Sequence, residues 1–461
     1  MVRSFVNRDE ELNFLNEKWQ DGRRQLIVLY GRRRTGKTEL INHFSQDKNS
    51  LYFLADERSI EDNLDRFASK AAQKFEDVKP EVENFDELFQ YIKQRAGEPI
   101  VIAVDEFSYL VETDDTVPSV FQRVWDETLE GENVFLILCG SSISLMQEGV
   151  LSYESPLYGR RTGQWKLESL KFEDARKFFP ERFIEEQIKF YSVLGGIPAY
   201  LQKFDPEEDL RKNIRDEMLS KGTFLYEEPE FLLRQSLRKP SRYMEILEEM
   251  AYGATKTSEI ANKVGMETSN ISPYLNKLKE LELIEKKTPV TAGENSRGIH
   301  KVSDDFFRFY FRFIYPNRSE LESHKAGKIS ENVSQKLSTH TSHTFERICR
   351  ELTTKTSDCS KVGGWWYKED EIDIVALNET ENTILFGECK WTKQKVGKKL
   401  LGKLENKTEN VRWKNKNRKE KFALFSKSGF TDELHRVAES RPDLNLYSLE
   451  DLNLILSSEN Q

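Results

Sequence analysis

The chain begins as a regular alternation of apolar runs and charged stretches of helical period. LIVLY (26–30), LYFLA (51–55), PIVIAVDEF (99–107) and NVFLILCGSS (133–142) are apolar nearly throughout and strand-sized. Parallel strands covered by helices on both faces have this pattern, so the N-terminal part is expected to be an α/β domain. Residues 168–235 read as mostly helical, interrupted by GGIPAYL (195–201). From Pro240 three short helices are expected, SRYMEILEEMAY, KTSEIANKVG and TSNISPYLNKLKEL, followed by a hairpin, LIEKKTPV to GIHKV. SDDFFRFYFRFIY (303–315) is aromatic and amphipathic, and 316–340 is polar and weakly patterned, which suggests a linker. The remainder runs helix first, then strands. These shifts divide the chain at 1–165, 166–235, 236–315, 316–340 and 341–461.

A length of 461 residues allows about three domains. Charged residues make up 32% and aromatic residues 11%, which argues against both a membrane protein and wholesale disorder. No apolar run approaches a membrane span, no signal segment opens the chain, and the four cysteines are widely spaced, so a reduced, cytoplasmic protein is expected. The net charge is −9, yet Lys390 to Lys427 holds fourteen Lys/Arg against Glu405, Glu409 and Glu420. Such a segment can face phosphates, or can simply be a solvated helix.

GRRRTGKT (31–38) matches GxxxxGK[ST] and lies between strand LIVLY and helix TELINHF. Gly31 and Gly36 let the backbone close on phosphate oxygens, with Arg32, Arg33, Arg34 and Thr35 between them. Lys37 reaches the β/γ-phosphates of ATP, and the Thr38 hydroxyl can ligate magnesium. VIAVDEF supplies Asp105 to hold that metal and Glu106 as a base for the attacking water. Ser141 and Ser142 can sense the γ-phosphate or can belong to a capped turn. Arg160 and Arg161 can meet the γ-phosphate, on their own chain or on a neighbouring copy in a homo-oligomer; surface salt bridges are the alternative.

FVNRDEEL (5–12), GRRRTGKT, AVDEF, LCGSSIS, SPLYGRRTG and GGIPAYL, in this order, resemble the archaeal-type ATPases of the AAA+/STAND superfamily. The resemblance covers residues 1–235 and implies a P-loop ATPase core over 1–165 with a helical lid over 166–235. It implies that Arg8 and Glu11 flank the adenine-binding segment and that Pro198 packs near the base.

Residues 236–315 have the outline of a winged helix. TSNISPYLNKLKEL is its recognition helix, with Thr268 as cap and Ile271, Leu275, Leu278 and Leu281 as apolar stripe. Ser269, Asn270, Ser272, Tyr274, Asn276 and Lys277 occupy the other face, where they can reach DNA; contact with another protein domain is the alternative.

In the last domain, EIDIVAL–NETEN–TILFGECKW (371–391) reads as two strands joined by a polar turn. Alternation puts Glu388 and Lys390 on one face, where Asp373 and the helical Glu346 can join them. Carboxylates beside a lysine suit a magnesium-dependent phosphodiester cleavage site, with manganese as a substitute. Without that role, Asp373 would end a strand and Glu388 and Lys390 would be an exposed pair. GGWWY (363–367), EIDIVAL, LFGECKW and KFALFSKSGFT (421–431) resemble the four core strands of the PD-(D/E)XK nuclease fold, a restriction-endonuclease-like α/β domain that follows archaeal ATPases of this type. The resemblance implies Asp373, Glu388 and Lys390 as its site residues, although Ile372 stands where the motif has proline. An ATPase coupled to DNA binding and cleavage is thus expected, with a non-cleaving DNA-binding ATPase or an ADP-holding signalling switch as alternatives.

Overall fold

The computed structural model describes residues 5–97, 99–293, 296, 298–323, 326–414 and 417–458. The chain forms two compact units. The first runs to Ser169 and takes in Ile197–Ala199; the second comprises Leu170–Gly196 and the chain from Tyr200 onward.

The first unit is built on five strands, β1 (Gln25–Tyr30), β2 (Ser50–Leu54), β3 (Ile100–Asp105), β4 (Val134–Gly140) and β5 (Gly163–Lys166). They lie in the order β2-β3-β4-β1-β5 and every pair is parallel. All residues of β1, β3 and β4 are buried. Alternation explains why these runs are apolar throughout. Leu26, Val28, Ile102 and Val104 enter one core with Phe67, Phe89 and Phe121, while Ile27, Leu29 and Ala103 enter another with Leu40, Ile41 and Phe44. Because β4 lies between β1 and β3, the turns after all three strands open at one end of the sheet, where parallel α/β sheets hold their ligands.

In the second unit, helices Pro240–Ala251, Thr257–Lys263 and Thr268–Glu280 precede an antiparallel pair, β6 (Ile284–Lys287) and β7 (Ile299–Val302). Ile271, Leu275 and Leu278 are buried as their spacing requires. Thr268 is the first helical residue rather than the cap; Glu267 occupies the cap position, without a side-chain hydrogen bond.

The segment 316–340, expected to be a linker, is largely helical instead. Arg318–Glu322 is a short helix, and Ala326–Thr356 is one helix of 31 residues; residues 324 and 325 lie outside the described set. The reason is a sparse but regular stripe, in which Ile329, Val333, His340, Thr344, Ile348 and Leu352 are buried at steps of four or seven residues, flanked by the buried Ser330, Thr341 and Phe345. Hydroxyls and an imidazole take several of those places, so the apolar signal is weak.

A second sheet follows, β8 (Lys361–Tyr367), β9 (Asp370–Asn378), β10 (Thr383–Lys390), β11 (Lys419–Ser426) and β12 (Leu444–Ser448), in the order β12-β11-β10-β9-β8. The β8–β9 and β9–β10 pairs are antiparallel; β10–β11 and β11–β12 are parallel. Among the described residues no helix is long and apolar enough to cross a membrane.

Candidate functional site

The chain leaves β1 at Tyr30 and turns through Gly31, whose φ is +151°. A Cβ there would stand 2.3 Å from the Leu167 carbonyl oxygen, so only glycine permits this approach. Gly36, at φ +95°, precedes helix Lys37–Ser45 and lies in the left-handed region that glycine tolerates best. The Thr35 hydroxyl closes the turn on the Arg32 carbonyl at 2.9 Å. Arg8, itself at φ +88°, donates to the carbonyls of Thr35 (3.0 Å) and Glu168 (2.8 Å) and pairs with Glu11 at 2.9 Å. It thereby ties the start of helix Asp9–Gln20 to the loop.

Lys37 is buried, and its Nζ donates to the carbonyls of Gly31 (2.9 Å) and Arg32 (2.8 Å). Burial lowers its pKa, opposed by Asp105 and Glu106 among others. An anion in the loop would supply the charge partner that two carbonyls only approximate.

At the end of β3, Asp105 Oδ2 accepts from the Thr38 hydroxyl and from Tyr52 Oη, each at 2.7 Å. Burial, together with the adjacent carboxylate, drives the Tyr52 phenol far above its ordinary pKa and keeps it a donor. Thr38 and Asp105 form an oxygen donor set that fits magnesium. Glu106 follows in a left-handed conformation (φ +54°). Its Oε2 accepts from the Ser141 hydroxyl at 2.6 Å and the Ser141 amide at 3.2 Å. Arg33 reaches the same serine at 3.4 Å and Tyr109 Oη at 2.7 Å.

The structure therefore gathers residues 31–38, Asp105, Glu106 and Ser141. Ser142 precedes helix Ile143–Met146 without a side-chain cap bond. Arg160 and Arg161 are engaged elsewhere, Arg160 in an ion pair with Asp126 at 3.0 Å and Arg161 on the Leu151 carbonyl at 3.0 Å. Pro198 opens helix Pro198–Leu201 and belongs to the first compact unit, with the loop.

The second sheet brings together the other predicted cluster. The β9–β10 ladder ends at Ile374–Gly387, and Asp373 and Glu388 are the next residues on the two strands. Asp373 Oδ2 accepts from the Cys389 amide at 2.9 Å, and Arg350 from the long helix donates to the Asp373 carbonyl at 2.8 Å. Lys390 Nζ lies 2.8 Å from Glu388 Oε2 and 4.0 Å from Asp373 Oδ2. Burial, with the charges of Glu346 and Glu388, pushes the Asp373 carboxyl up to about 7. Burial likewise raises Glu346, opposed by Arg350. Burial works against the Lys390 charge, but Glu388 and Asp373 outweigh it and hold the ammonium above its usual range.

One participant escapes sequence reasoning. Lys407, on helix Lys398–Thr408, pairs with the second carboxylate oxygen of Glu388 and donates to the Glu371 carbonyl at 2.7 Å. Glu388 is 2% exposed, and both its oxygens are met by ammonium groups. The carboxylates of Asp373 and Glu388 are of the kind that binds a hard cation, but among the described residues no group of three or more His, Cys, Asp or Glu side chains is placed to hold a metal ion. Of the basic stretch, Lys416 lies outside the described residues.

Comparison with known proteins agrees with the first site. Residues 5–204 match the family described as an ATPase domain predominantly from Archaea. Residues 241–286 match the bacterial regulatory protein family arsR, a helix-turn-helix family, and residues 310–401 match archaeal and bacterial proteins of unknown function. An uncharacterized protein of Methanocaldococcus jannaschii is 36% identical over 419 residues, 88% of this chain and 92% of its own length. An uncharacterized ATP-binding protein of the same organism is 59% identical over 44 residues, 10% of this chain and 75% of its own length. In fold, the chain is similar to the Walker-type ATPase of Pyrococcus abyssi, with TM-score 0.51 and 22% identity over 67% of this chain and 97% of that one. With its phosphate loop and its match along nearly the whole Methanocaldococcus relative, the chain belongs to the archaeal ATPase family.

Proposed function

We propose that ATP binding and hydrolysis at residues 31–38 control how the chain engages DNA, and that the cluster around Asp373 cleaves it. The observation that supports the cleavage is Lys390 within 4.0 Å of the carboxylates of both Asp373 and Glu388, which follow the last β9–β10 pair. The helix-turn-helix match supports the DNA-binding part, with the exposed Ser269, Asn270, Ser272 and Asn276 on the recognition helix.

At the nucleotide site, Lys37 exchanges its two carbonyl partners for phosphate oxygens when ATP enters. Glu106 accepts the proton of the attacking water, and Ser141 fixes the direction of that carboxylate. Magnesium held by Thr38 and Asp105 would offset charge on the phosphates. At the second site, magnesium or manganese on Asp373 and Glu388 would offset charge on the scissile phosphate. Lys390 and Lys407 then release Glu388, and Lys390 is free to face the developing negative charge.

A second reading is favoured by the double ammonium cover of Glu388 and by the lack of a third gathered ligand among the described residues. In that case the protein is a DNA-binding ATPase that does not cut. One experiment separates the two. Purified chain is incubated with plasmid and with single-stranded DNA in magnesium and in manganese, with and without ATP. Nicking that disappears in Asp373→Ala while ATP turnover persists supports cleavage; retained DNA binding without nicking in either metal supports the second reading.

A further inference from the structure

Arg33, the third residue of GRRRTGKT, is half-buried and reaches from the loop toward the residues that follow β3 and β4. Its Nε lies 3.4 Å from Ser141 Oγ, and its Nη2 donates to Tyr109 Oη at 2.7 Å. The guanidinium also lies over the Tyr109 ring, 5.9 Å from the centroid. Both of these partners are themselves bonded to Glu106. Ser141 donates its hydroxyl to Glu106 Oε2 at 2.6 Å. Tyr109 stands on helix Phe107–Thr113, which begins directly after Glu106, and its amide donates to the Glu106 carbonyl at 2.9 Å.

These bonds decide which end of a bound nucleotide the guanidinium meets. Lys37 reaches the β- and γ-phosphates, and a water that attacks the γ-phosphorus lies beyond them, within reach of the Glu106 carboxylate. A guanidinium joined to that carboxylate through one serine hydroxyl stands at the γ-phosphate end. Burial chiefly lowers the Lys37 pKa, and the charge of Arg33 acts in the same direction, so the two cations face one region of the loop. Arg33, Glu106, Tyr109 and Ser141 are all partly accessible, so a phosphate can meet them. Arg160 and Arg161, in contrast, are held by Asp126 and by the Leu151 carbonyl. The 3.4 Å contact with Ser141 is long and easily exchanged, whereas the 2.7 Å bond to Tyr109 is a firm anchor.

We infer that Arg33 is a catalytic residue of ATP hydrolysis and acts within its own chain: turning on its Tyr109 anchor, the guanidinium exchanges Ser141 for oxygens of the γ-phosphoryl group. The inference rests on ATP hydrolysis at residues 31–38 as proposed above and is independent of DNA cleavage. As the water oxygen bonds to the γ-phosphorus, Glu106 takes a proton from that water. The bond to the bridging oxygen breaks, and its electron pair leaves with ADP. Negative charge develops on the bridging and γ-oxygens, and a planar guanidinium donates to two such oxygens at once. Ser141 keeps its bond to Glu106 throughout, so the base stays aimed.

The test compares the full-length wild type with Arg33→Ala and Arg33→Lys. Phosphate release from ATP and magnesium gives kcat. Calorimetry gives the affinity for ADP, with and without aluminium fluoride, which stands in for the γ-phosphoryl group in its transition state. Arg33→Ala is expected to lose about a thousandfold in kcat, and to lose the gain in affinity that aluminium fluoride brings, while its affinity for ADP alone changes less than about threefold. Retained ADP binding also shows that the variant is folded. Arg33→Lys keeps the charge without the planar fork and is expected to recover less than about a tenth of the wild-type rate. An equimolar mixture of Arg33→Ala and Lys37→Ala chains is expected to stay inactive, because an arginine acting between chains would be supplied by the Lys37→Ala partner. A loss in kcat below about tenfold in Arg33→Ala, an ADP affinity that falls as far as kcat, or activity restored in the mixture would overturn the inference and leave ATP hydrolysis at this loop standing. A wild type that binds ADP but neither turns over ATP nor gains affinity with aluminium fluoride would overturn both.

Discussion

The Ser141 hydroxyl donates to Glu106 Oε2 at 2.6 Å, across the gap between the ends of β4 and β3. A serine so placed fixes the direction of the carboxylate proposed above as the base, and its own amide reinforces the hold at 3.2 Å. Ser141→Ala removes the stronger bond and leaves the weaker. We expect kcat for ATP hydrolysis to fall about tenfold with KM nearly unchanged, whereas Glu106→Gln should lose at least about a hundredfold. Steady-state phosphate release measures both. Equal kcat in Ser141→Ala and wild type would mean that the serine does not position the base.

The two loop glycines should respond differently to alanine. At Gly31 the added methyl meets the Leu167 carbonyl oxygen at 2.3 Å, a backbone atom that cannot swing aside. At Gly36 nothing lies within 4 Å, and only the positive φ of +95° opposes the change. Gly31→Ala should therefore cost about 2–3 kcal/mol, the range of an overpacked interior, and Gly36→Ala about 1 kcal/mol. Thermal unfolding followed by circular dichroism tests the order. Equal losses would show that Leu167 yields to the methyl.

Much of this architecture is legible in the sequence, and the exceptions have physical causes. β1, β3 and β4 are buried on both faces, so their apolar runs are continuous and unmistakable. β5 is four residues, GQWK, at the sheet edge and half-exposed, which leaves nothing for a pattern to catch. The edge strand β12, LNLYS, escapes for the same reason. Gly31, Lys37 and Asp105 are legible because their spacing is local. Lys407 is not, since it is one of fourteen basic residues between 390 and 427 and only its position on a folded helix aims it at Glu388. Arg160 shows the converse, a residue the motif singles out that Asp126 holds in an ion pair.

If the second sheet cleaves DNA, its lysines should separate from one another on substitution. Lys390 approaches both Asp373 and Glu388, whereas Lys407 touches only Glu388 of the two. Lys390→Ala should abolish magnesium-dependent nicking. Lys407→Ala should reduce it about tenfold and lower the magnesium concentration needed for half-maximal activity, because Glu388 loses a competing cation. ATP turnover should be unaffected by either change. A magnesium requirement that stays fixed in Lys407→Ala would sink the competition argument.

His340 provides a handle on acid stability. It is 0% exposed, packs against the rings of Phe309 and Phe313, and lies with Nε2 2.8 Å from the Ser192 carbonyl, so that nitrogen carries the proton of the neutral ring. Burial holds its pKa well below 6.5, aided by the charge of Arg308 and opposed by the Ser192 hydrogen bond. In the unfolded chain the same imidazole takes up a proton as pH falls through about 6.5, while the native one does not. The unfolded state then binds more protons, and native stability declines as pH drops from about 6.5 toward the native pKa, by about 1.4 kcal/mol per unit once the proton is fully bound. His340→Gln keeps a donor for the Ser192 carbonyl and removes the titration. Its thermal midpoint should fall less than that of the wild type between pH 7 and pH 5, in buffers of equal ionic strength. Parallel curves for the two proteins would show that His340 is protonated in the native state, or that it contributes nothing to the acid limb.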